Sequence, residues 1–262
     1  MRFCALASGS SGNCIFVENG ETRILVDAGI SAKRIEEALL TIGVEPESIK
    51  AMLITHDHTD HIQGATVFSR KYGVDIYATE GTLKYICANC RAKPDNSHLH
   101  YVKKQEAFRI GDITAEPFAV MHDAIDPVGY ALRGNDKKIG IATDLGTYDA
   151  NIVSKLKDAE VLYIEANHDV NMLMLGNYPY QLKCRVNSEI GHLSNETCAK
   201  LVGEVRSEGT KAVILAHISK ENNFEELAFE TVRQSIIADK RFQNIPELMI
   251  ARRDGPSRVI EL

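Results

Sequence analysis

The tightest constraint on the fold is the run His56-Asp57-His58-Thr59-Asp60-His61, which follows the apolar stretch Ala51–Thr55 without a break. Four side chains of metal-binding type, His56, His58, Asp60 and His61, fall within six residues. In an extended segment His56 and His58 point to the same side, because side chains alternate along a strand. Asp60 and His61 then come where the chain turns into a helix, facing a neighbouring point. This spacing suits two adjacent metal sites, and imidazole with carboxylate suits Zn²⁺, Mn²⁺ or iron. A solvated His-rich loop is the bland alternative, but the chain has only nine histidines and three of them are here. Three further residues share one position. His122 ends the apolar run Ala115–Met121, Asp144 ends Ile139–Thr143, and His217 ends Ala212–Ala216. Taken singly, each reads as an ordinary strand-end residue. Together they require a fold that brings several strand ends to one edge, where loops leave a rigid scaffold.

Short β-rich segments open the chain at Arg2–Ala7, Ile15–Glu18 and Thr22–Asp27, parted by Gly- and Asn-containing turns. Ile35, Ala38, Leu39 and Ile42 recur at helical spacing behind Ser31, predicting an amphipathic helix. A strand is expected at Ala51–Thr55, a helix at Ile62–Lys71, and strands at Ile113–Val120, Val128–Arg133, Lys138–Thr143 and Val161–Glu165. A helix from about Ser194 gathers Cys198, Leu201, Val202 and Val205 on one face. The strand Ala212–Ala216 and the helix Phe224–Asp239 follow. This order predicts an α/β fold of two sheets with helices packed outside. With no repeats, low-complexity tracts or linkers, residues 1–262 read as a single domain.

Hydrophobic residues at 44% and charged residues at 25% are ordinary for a soluble globular chain. No apolar run is long enough to cross a bilayer, so no membrane partner is expected. The apolar part of MRFCALASGSSG is too short for an export leader, which predicts a cytoplasmic protein with six reduced cysteines. A net charge of −6 removes any global basic footprint for nucleic acid. A divalent metal pair would still add local positive charge.

The run ILVDAG containing Asp27, then HDHTDH, then His122, Asp144 and His217, resembles the motif series of the metallo-β-lactamase superfamily. The resemblance spans Asp27 to His217 and implies an αββα sandwich with metals at one edge. It implies that His56, His58 and His122 hold one metal, that Asp60, His61 and His217 hold a second, and that Asp144 bridges them. Asp27 matches the motif that supports the ligands from behind, with a turn-forming Asp before Gly29 as the alternative. A lactamase proper carries Cys in place of the first bridging carboxylate, and flavodiiron oxidoreductases carry Glu where this chain has His58. Gly191 to Asn222 is similar to the tRNase Z region in which a His, here His192, works with a strand-end Glu, here Glu165. The plainer reading of His192 is a turn residue before the N-cap Ser194. No insertion resembles the flexible arm of tRNase Z, and the chain is too short for the β-CASP domain of RNase J-like and cleavage-factor enzymes. SGSSGNC, EANHD, GHLSN and HISKENN together resemble the YycJ/WalJ group of small bacterial enzymes, which implies a 5′→3′ DNA exonuclease of DNA repair.

The expected chemistry is phosphodiester hydrolysis by a hydroxide bridging two divalent metals, zinc or manganese, with iron as a further candidate. Asp60 would orient the hydroxide, and His192 with Glu165 would protonate the leaving 3′ oxygen. DNA is the expected partner and RNA a second candidate. Ser8, Ser10, Ser11 and Asn13, interleaved with Gly9 and Gly12, are expected to offer hydroxyls and N–H groups to a phosphate, or else form a plain hairpin turn. His168 is expected to touch substrate or act as an extra ligand, with a place behind the ligands as the plainer reading. A small-molecule metallohydrolase, either a cyclic phosphodiesterase or a lactonase, shares the metal set and is the alternative. The Glu165–His192 pair favours phosphate esters, since lactone opening needs no such acid. A non-catalytic relative of the fold would be expected to lack ligands, and all seven are present. Cys87-x-x-Cys90 with His98 and His100 does not match zinc-finger spacing and reads as a helix-end pair. Arg70-Lys71 reads as a phosphate contact. Lys103–Lys104 and Arg252–Arg253 are too short to be basic patches, though either could line a DNA track.

Overall fold

Each half of the chain builds most of one seven-stranded sheet in this computed structural model, which describes residues 1–262. The first half runs β1 (Arg2–Ala7), β2 (Cys14–Asn19), β3 (Thr22–Val26), α1 (Ala32–Thr41), β4 (Ile49–Leu53), α2 (Thr59–Ile62), α3 (Ala65–Tyr72), β5 (Asp75–Ala78), α4 (Glu80–Asn89) and β6 (Leu99–Tyr101). The second half opens with β7 (Phe108–Ile110), β8 (Ile113–Ala119), β9 (Val128–Gly134), β10 (Lys137–Ala142), α5 (Ala150–Leu156) and β11 (Val161–Glu165). It ends with α6 (Val170–Leu175), α7 (Tyr180–Val186), α8 (Asn195–Val205), β12 (Ala212–Ala216), α9 (Glu225–Ala238), β13 (Glu247–Ile250) and β14 (Ile260–Glu261). The first sheet has the order β14-β1-β2-β3-β4-β5-β6 and is parallel from β3 to β6. The second has the order β13-β12-β11-β10-β9-β8-β7 and is parallel from β13 to β10.

Alternating residues of the facing sheets close the centre. Val17, Ile24 and Leu53 of the first meet Tyr130, Ile139, Tyr163 and Ile214 of the second in one buried cluster. The opposite face of the first sheet, with Leu25, Met52 and Ile76, lies under Ile35, Leu39 and Phe68 of α1 and α3. On the second sheet Leu162, Ile164, Val213 and Leu215 lie under Ile152, Val202 and Val232 of α5, α8 and α9. The layers are therefore helix, sheet, sheet, helix. Strands covered on both faces need apolar residues throughout, which explains the unbroken runs VLYIE and AVILA. Ser31 caps α1 by accepting from Arg34 N, and Ser194 caps α8 by accepting from Thr197 N. No helix is long and apolar enough to cross a membrane.

Two departures from the sequence expectation bear on the site. The strand expected at Ala51–Thr55 is β4 at Ile49–Leu53, which leaves Thr55 free to bond around the ligand loop. The helix expected at Ile62–Lys71 is split, and the short α2 carries Asp60 and His61. The split lies at Gly64, whose N–H donates to Ala28 O. A Cβ there would stand 2.2 Å from Ile30 O.

The turn between β3 and α1 is stitched to the ligand loop. Ala28 N donates to His61 O at 2.9 Å, Gly29 N to Asn13 O at 2.8 Å, and Asn13 N to Asp60 O at 2.8 Å. A Cβ on Gly29 would fall 1.6 Å from Asp60 O, so no other residue fits without moving a ligand. Gly29→Ala is expected to destabilise the fold by about 3 kcal/mol or more and to lower the metal bound per chain. Gly255→Ala, where a Cβ meets nothing, should match the wild type. Thermal unfolding and elemental analysis of both proteins check this; a normal metal content in Gly29→Ala would contradict it.

Candidate active site

The ends of the strands converge where the two sheets meet. Asp27 follows β3, His56 and His58 follow β4, His122 follows β8, Asp144 follows β10, Glu165 ends β11 and His217 follows β12. Asp27, Asp144 and His217 adopt left-handed backbone, with φ of 61°, 53° and 52°. That conformation costs a non-glycine residue about 1–3 kcal/mol and persists only where the surroundings enforce it. Here it ends each strand abruptly and keeps a polar side chain at the sheet edge.

The donor atoms of His56, His58 and His122 lie within 4.8 Å of one another, as do those of Asp60, His61 and His217. His122 Nε2 is 3.3 Å from His58 Nδ1. Asp60 Oδ2 is 3.7 Å from His61 Nε2 and 3.6 Å from His217 Nε2. Asp144 stands between the triads, with Oδ2 3.2 Å from His61 Nε2 and Oδ1 4.0 Å from His122 Nε2.

The remote nitrogens decide which atoms face inward. His61 Nδ1 donates to Asp27 Oδ2 at 2.7 Å, His217 Nδ1 to Glu165 Oε1 at 2.8 Å, and His122 Nδ1 to Gly191 O at 3.0 Å. His58 Nε2 donates to Asp123 O at 3.3 Å. Carboxylates and carbonyls only accept, so these contacts keep a proton on the remote nitrogen and make the inner one the atom a cation would meet, its lone pair free once any second proton has left. Buried Nε2 atoms of His56 and His217 have no hydrogen-bond partner. Such orphaned acceptors are costly in a dry site, and a divalent cation is the partner this donor set fits.

Burial alone would lower the pKa of His217, but Asp144, Asp60 and Glu165 outweigh it and raise it to about 10. Burial likewise opposes the rise at His61, where Asp27 and Asp144 prevail. At His56 burial dominates, with His61 adding to it, and the ring is held neutral. Without metal, then, His217 is protonated at neutral pH. Its pairing contributes fully below the ordinary pKa of 6.5 and is lost as pH rises through about 10. Metal needs the unprotonated ring, so loading stripped protein near pH 7.5 is expected to release about one proton or more per chain. Titration calorimetry in buffers of different ionisation enthalpy measures this, and no buffer dependence would contradict it.

Glu165 is fully buried. Its Oε1 accepts from His192 Nδ1 at 2.7 Å as well as from His217, and its Oε2 accepts from the N–H groups of Leu145 and Leu193 at 3.1 and 3.2 Å. Burial raises its pKa, but His192 and His217 pull it down to about 2. His192 keeps a 20% exposed side chain, and Glu165 raises its pKa against the effect of burial.

Among the expected substrate contacts, Ser10 and Ser11 are exposed on the turn between β1 and β2. Asn13 and His168 need correction. Asn13 is only 2% exposed, and its amide is taken up by Gly9 and by the Asp60 segment, so it braces the ligand loop from within. His168 is sealed in at 0% exposure behind Ser194 and cannot meet a polymer. At the expected phosphate contact Arg70-Lys71, the exposed Lys71 pairs with Glu36 at 2.9 Å. Cys87 lies in the last turn of α4 and Cys90 caps it, both as free thiols, while His98 and His100 turn to Asp75.

Sequence reasoning missed several supports. Thr55 Oγ1 donates to Asp27. Ser8 Oγ accepts from Tyr163 Oη and from His217 N, each at 2.9 Å. Asn167 Nδ2 donates to His217 O, and Asn195 exchanges two hydrogen bonds with Asn223. The strings SGSSGNC, EANHD, GHLSN and HISKENN contain Ser8, Asn167, Asn195 and Asn223 but not Thr55 or Tyr163, and nothing in the spacing of these residues shows that they interlock.

A family model described as a beta-lactamase superfamily domain matches residues 22–218. Exodeoxyribonuclease WalJ of Streptococcus pneumoniae is 41% identical over 232 residues, covering 88% of this chain and 86% of that protein. Exodeoxyribonuclease YycJ of Bacillus anthracis is 37% identical over 245 residues, covering 92% and 91%. The fold is also that of Zn(2+)-bound PqqB from Methylobacterium extorquens, with a TM-score of 0.73 at 16% identity over 100% of both chains. The short form of human tRNase Z aligns with a TM-score of 0.66 at 17% identity, covering 100% of this chain and 99% of that one. The chain belongs to the metallo-β-lactamase superfamily, in the group that contains the bacterial exodeoxyribonucleases WalJ and YycJ.

Proposed function

We propose that this enzyme hydrolyses DNA phosphodiesters stepwise from the 5′ end, in DNA repair, with two divalent cations. The observation that carries the reading is the buried Glu165 carboxylate shared by His192 and His217, which sets a held proton beside the metal ligands. The relatives named as exodeoxyribonucleases supply the polymer. Zinc or manganese is the proposed occupant, with RNA as a lesser substrate. The setting is the cytoplasm, where all six cysteines, free thiols in the fold, stay reduced.

His56, His58 and His122 would hold one cation, Asp60, His61 and His217 the other, and Asp144 would contact both. Bound there, such cations polarise the phosphate and lower the pKa of attacking water. The remaining work falls to the protein. Asp27 and Thr55 hold the His61 ring, and Glu165 holds the His217 ring. Asp60, partly exposed beside both His61 and His217, accepts a hydrogen bond from the attacking water and orients it. His192, fixed through Nδ1, carries its mobile proton on Nε2 and passes it to the departing 3′ oxygen. An alkoxide leaves poorly without that proton, so the donor is worth about 10²–10⁴-fold.

His192→Ala is therefore expected to lower DNA hydrolysis by about 10²-fold or more, and to affect bis-p-nitrophenyl phosphate far less, since nitrophenolate departs unprotonated. Asp60→Asn should abolish both activities. Protein loaded with Mn²⁺ or Zn²⁺ is to be assayed on end-labelled duplex DNA, structured RNA and the small ester. Activity confined to the small ester would replace this reading with a small-molecule phosphodiesterase. Equal losses on both substrates in His192→Ala would remove His192 as the acid.

A further inference from the structure

The second sheet brings four parallel strands to the metal edge, and three end in residues already described: Asp144 after β10, Glu165 on β11 and His217 after β12. On the fourth, β13, Ala251 N still donates to Leu215 O at 2.9 Å, and Arg253 comes two residues later. Arg253 Nη2 donates to Ile218 O at 2.6 Å, beside His217. Its guanidinium also lies over Gly9, where a Cβ would stand 2.7 Å from Nη1 and 3.1 Å from Cζ. Gly9 has a φ of 125°, and its N–H and C=O are both tied to Asn13. The cation thus lies against a turn whose backbone conformation favours glycine.

Arg185 and Arg206 are paired with Asp123 and Asp239, but Arg253 has no carboxylate partner. It is half-buried, one N–H is engaged, and the exposed Ser10 and Ser11 stand in the loop it covers. A guanidinium has five N–H groups, so enough remain for a two-pronged grip on phosphate oxygens. Near the metal edge Arg185 is neutralised by Asp123, whereas Arg253 leaves a positive charge uncompensated.

We propose that Arg253, seated on Gly9 and Ile218 and flanked by Ser10 and Ser11, binds a phosphate of the substrate strand next to the one being cleaved. The proposal rests on the nuclease reading for its ligand and names a positioning residue. The phosphate is either the 5′-terminal group or an internal diester, and the substrates below separate the two.

The Mn²⁺-loaded wild type, Arg253→Gln and Arg253→Lys are to be compared on duplex DNA with a 5′-phosphate, the same duplex with a 5′-hydroxyl, and bis-p-nitrophenyl phosphate, which has no neighbouring phosphate. Arg253→Gln is expected to lower kcat/KM on DNA by about tenfold or more relative to the small ester, chiefly through KM. The slope of log(kcat/KM) against log salt should become shallower by about 0.9, the worth of one phosphate contact. Arg253→Lys should keep the slope and recover only part of the loss, because it lacks the fork. A loss confined to the 5′-phosphorylated duplex assigns the terminal phosphate; a loss on both assigns an internal one. Equal losses on DNA and the small ester, with reduced metal content, would make Arg253 a mere brace for His217 and overturn the proposal. So would an unchanged KM and salt slope. If the wild type cleaves only the small ester, the nuclease reading falls by itself. Competitive inhibition by inorganic phosphate then tests the site: it should weaken about tenfold in Arg253→Gln, and unchanged inhibition overturns the phosphate site.

Discussion

Six imidazoles and four carboxylates are packed into one end of a sandwich that is otherwise apolar, and the rest of the structure answers to that burden. Withdrawing an ion from water costs several kcal/mol unless good partners replace the solvent. Here the carboxylates are shared. Glu165 serves His192 and His217, Asp144 serves His61 and His217, and Asp27 holds His61 together with Thr55. Each of these groups thus relies on partners that others share, which ties the cluster to the strand ends that carry it.

That requirement explains features that look wasteful taken singly. Left-handed backbone at Asp27, Asp144 and His217 is unfavourable, yet it keeps three polar side chains at the edge where the strands stop. Ser8 spends a buried hydroxyl on the N–H of His217, and Asn167 spends an amide on its C=O, so the residue after β12 is fixed from both sides. The paired amides of Asn195 and Asn223 bind the start of α8 to the loop before α9. These polar contacts hold ligands to a geometry that apolar packing alone leaves loose.

How much of this is legible in the sequence depends on the range of the signal. Apolar runs that end in His or Asp announce themselves locally, and so the layers, the principal strands and the converging strand ends could be read. The short strand β5 and the edge strands β6, β7, β13 and β14 have too few residues for a period to show. The break between α2 and α3 depends on Gly64 meeting the backbone of Ile30, a contact some thirty-four residues away in sequence, as the numbering shows. Asn13 and His168 were misread for a related reason. A polar residue beside a site has the same appearance in sequence whether it faces outward to substrate or inward to a ligand, and here burial assigns both inward. The string SGSSGNC and the pair Arg252–Arg253 draw attention to Ser8 and Arg253 but do not show what these residues hold, since their partners are far apart in the chain.

The sharing of Glu165 also bears on how the chemistry is divided. Both His192 and His217 donate from Nδ1 to the same oxygen, so both present Nε2 on the side away from Glu165. The difference lies in access to water. The side chain of His217 is 4% exposed and that of His192 is 20% exposed. A ring closed off from water suits a lone pair held permanently toward a cation. A ring at the rim can recover a proton from solvent after giving one up, which repeated turnover demands. One buried carboxylate thus orients both histidines, and in the proposed mechanism their depth separates the ligand from the proton donor. Because both bonds end on Oε1, moving the Glu165 side chain releases both rings at once, so under the proposed mechanism metal binding and proton donation fall together.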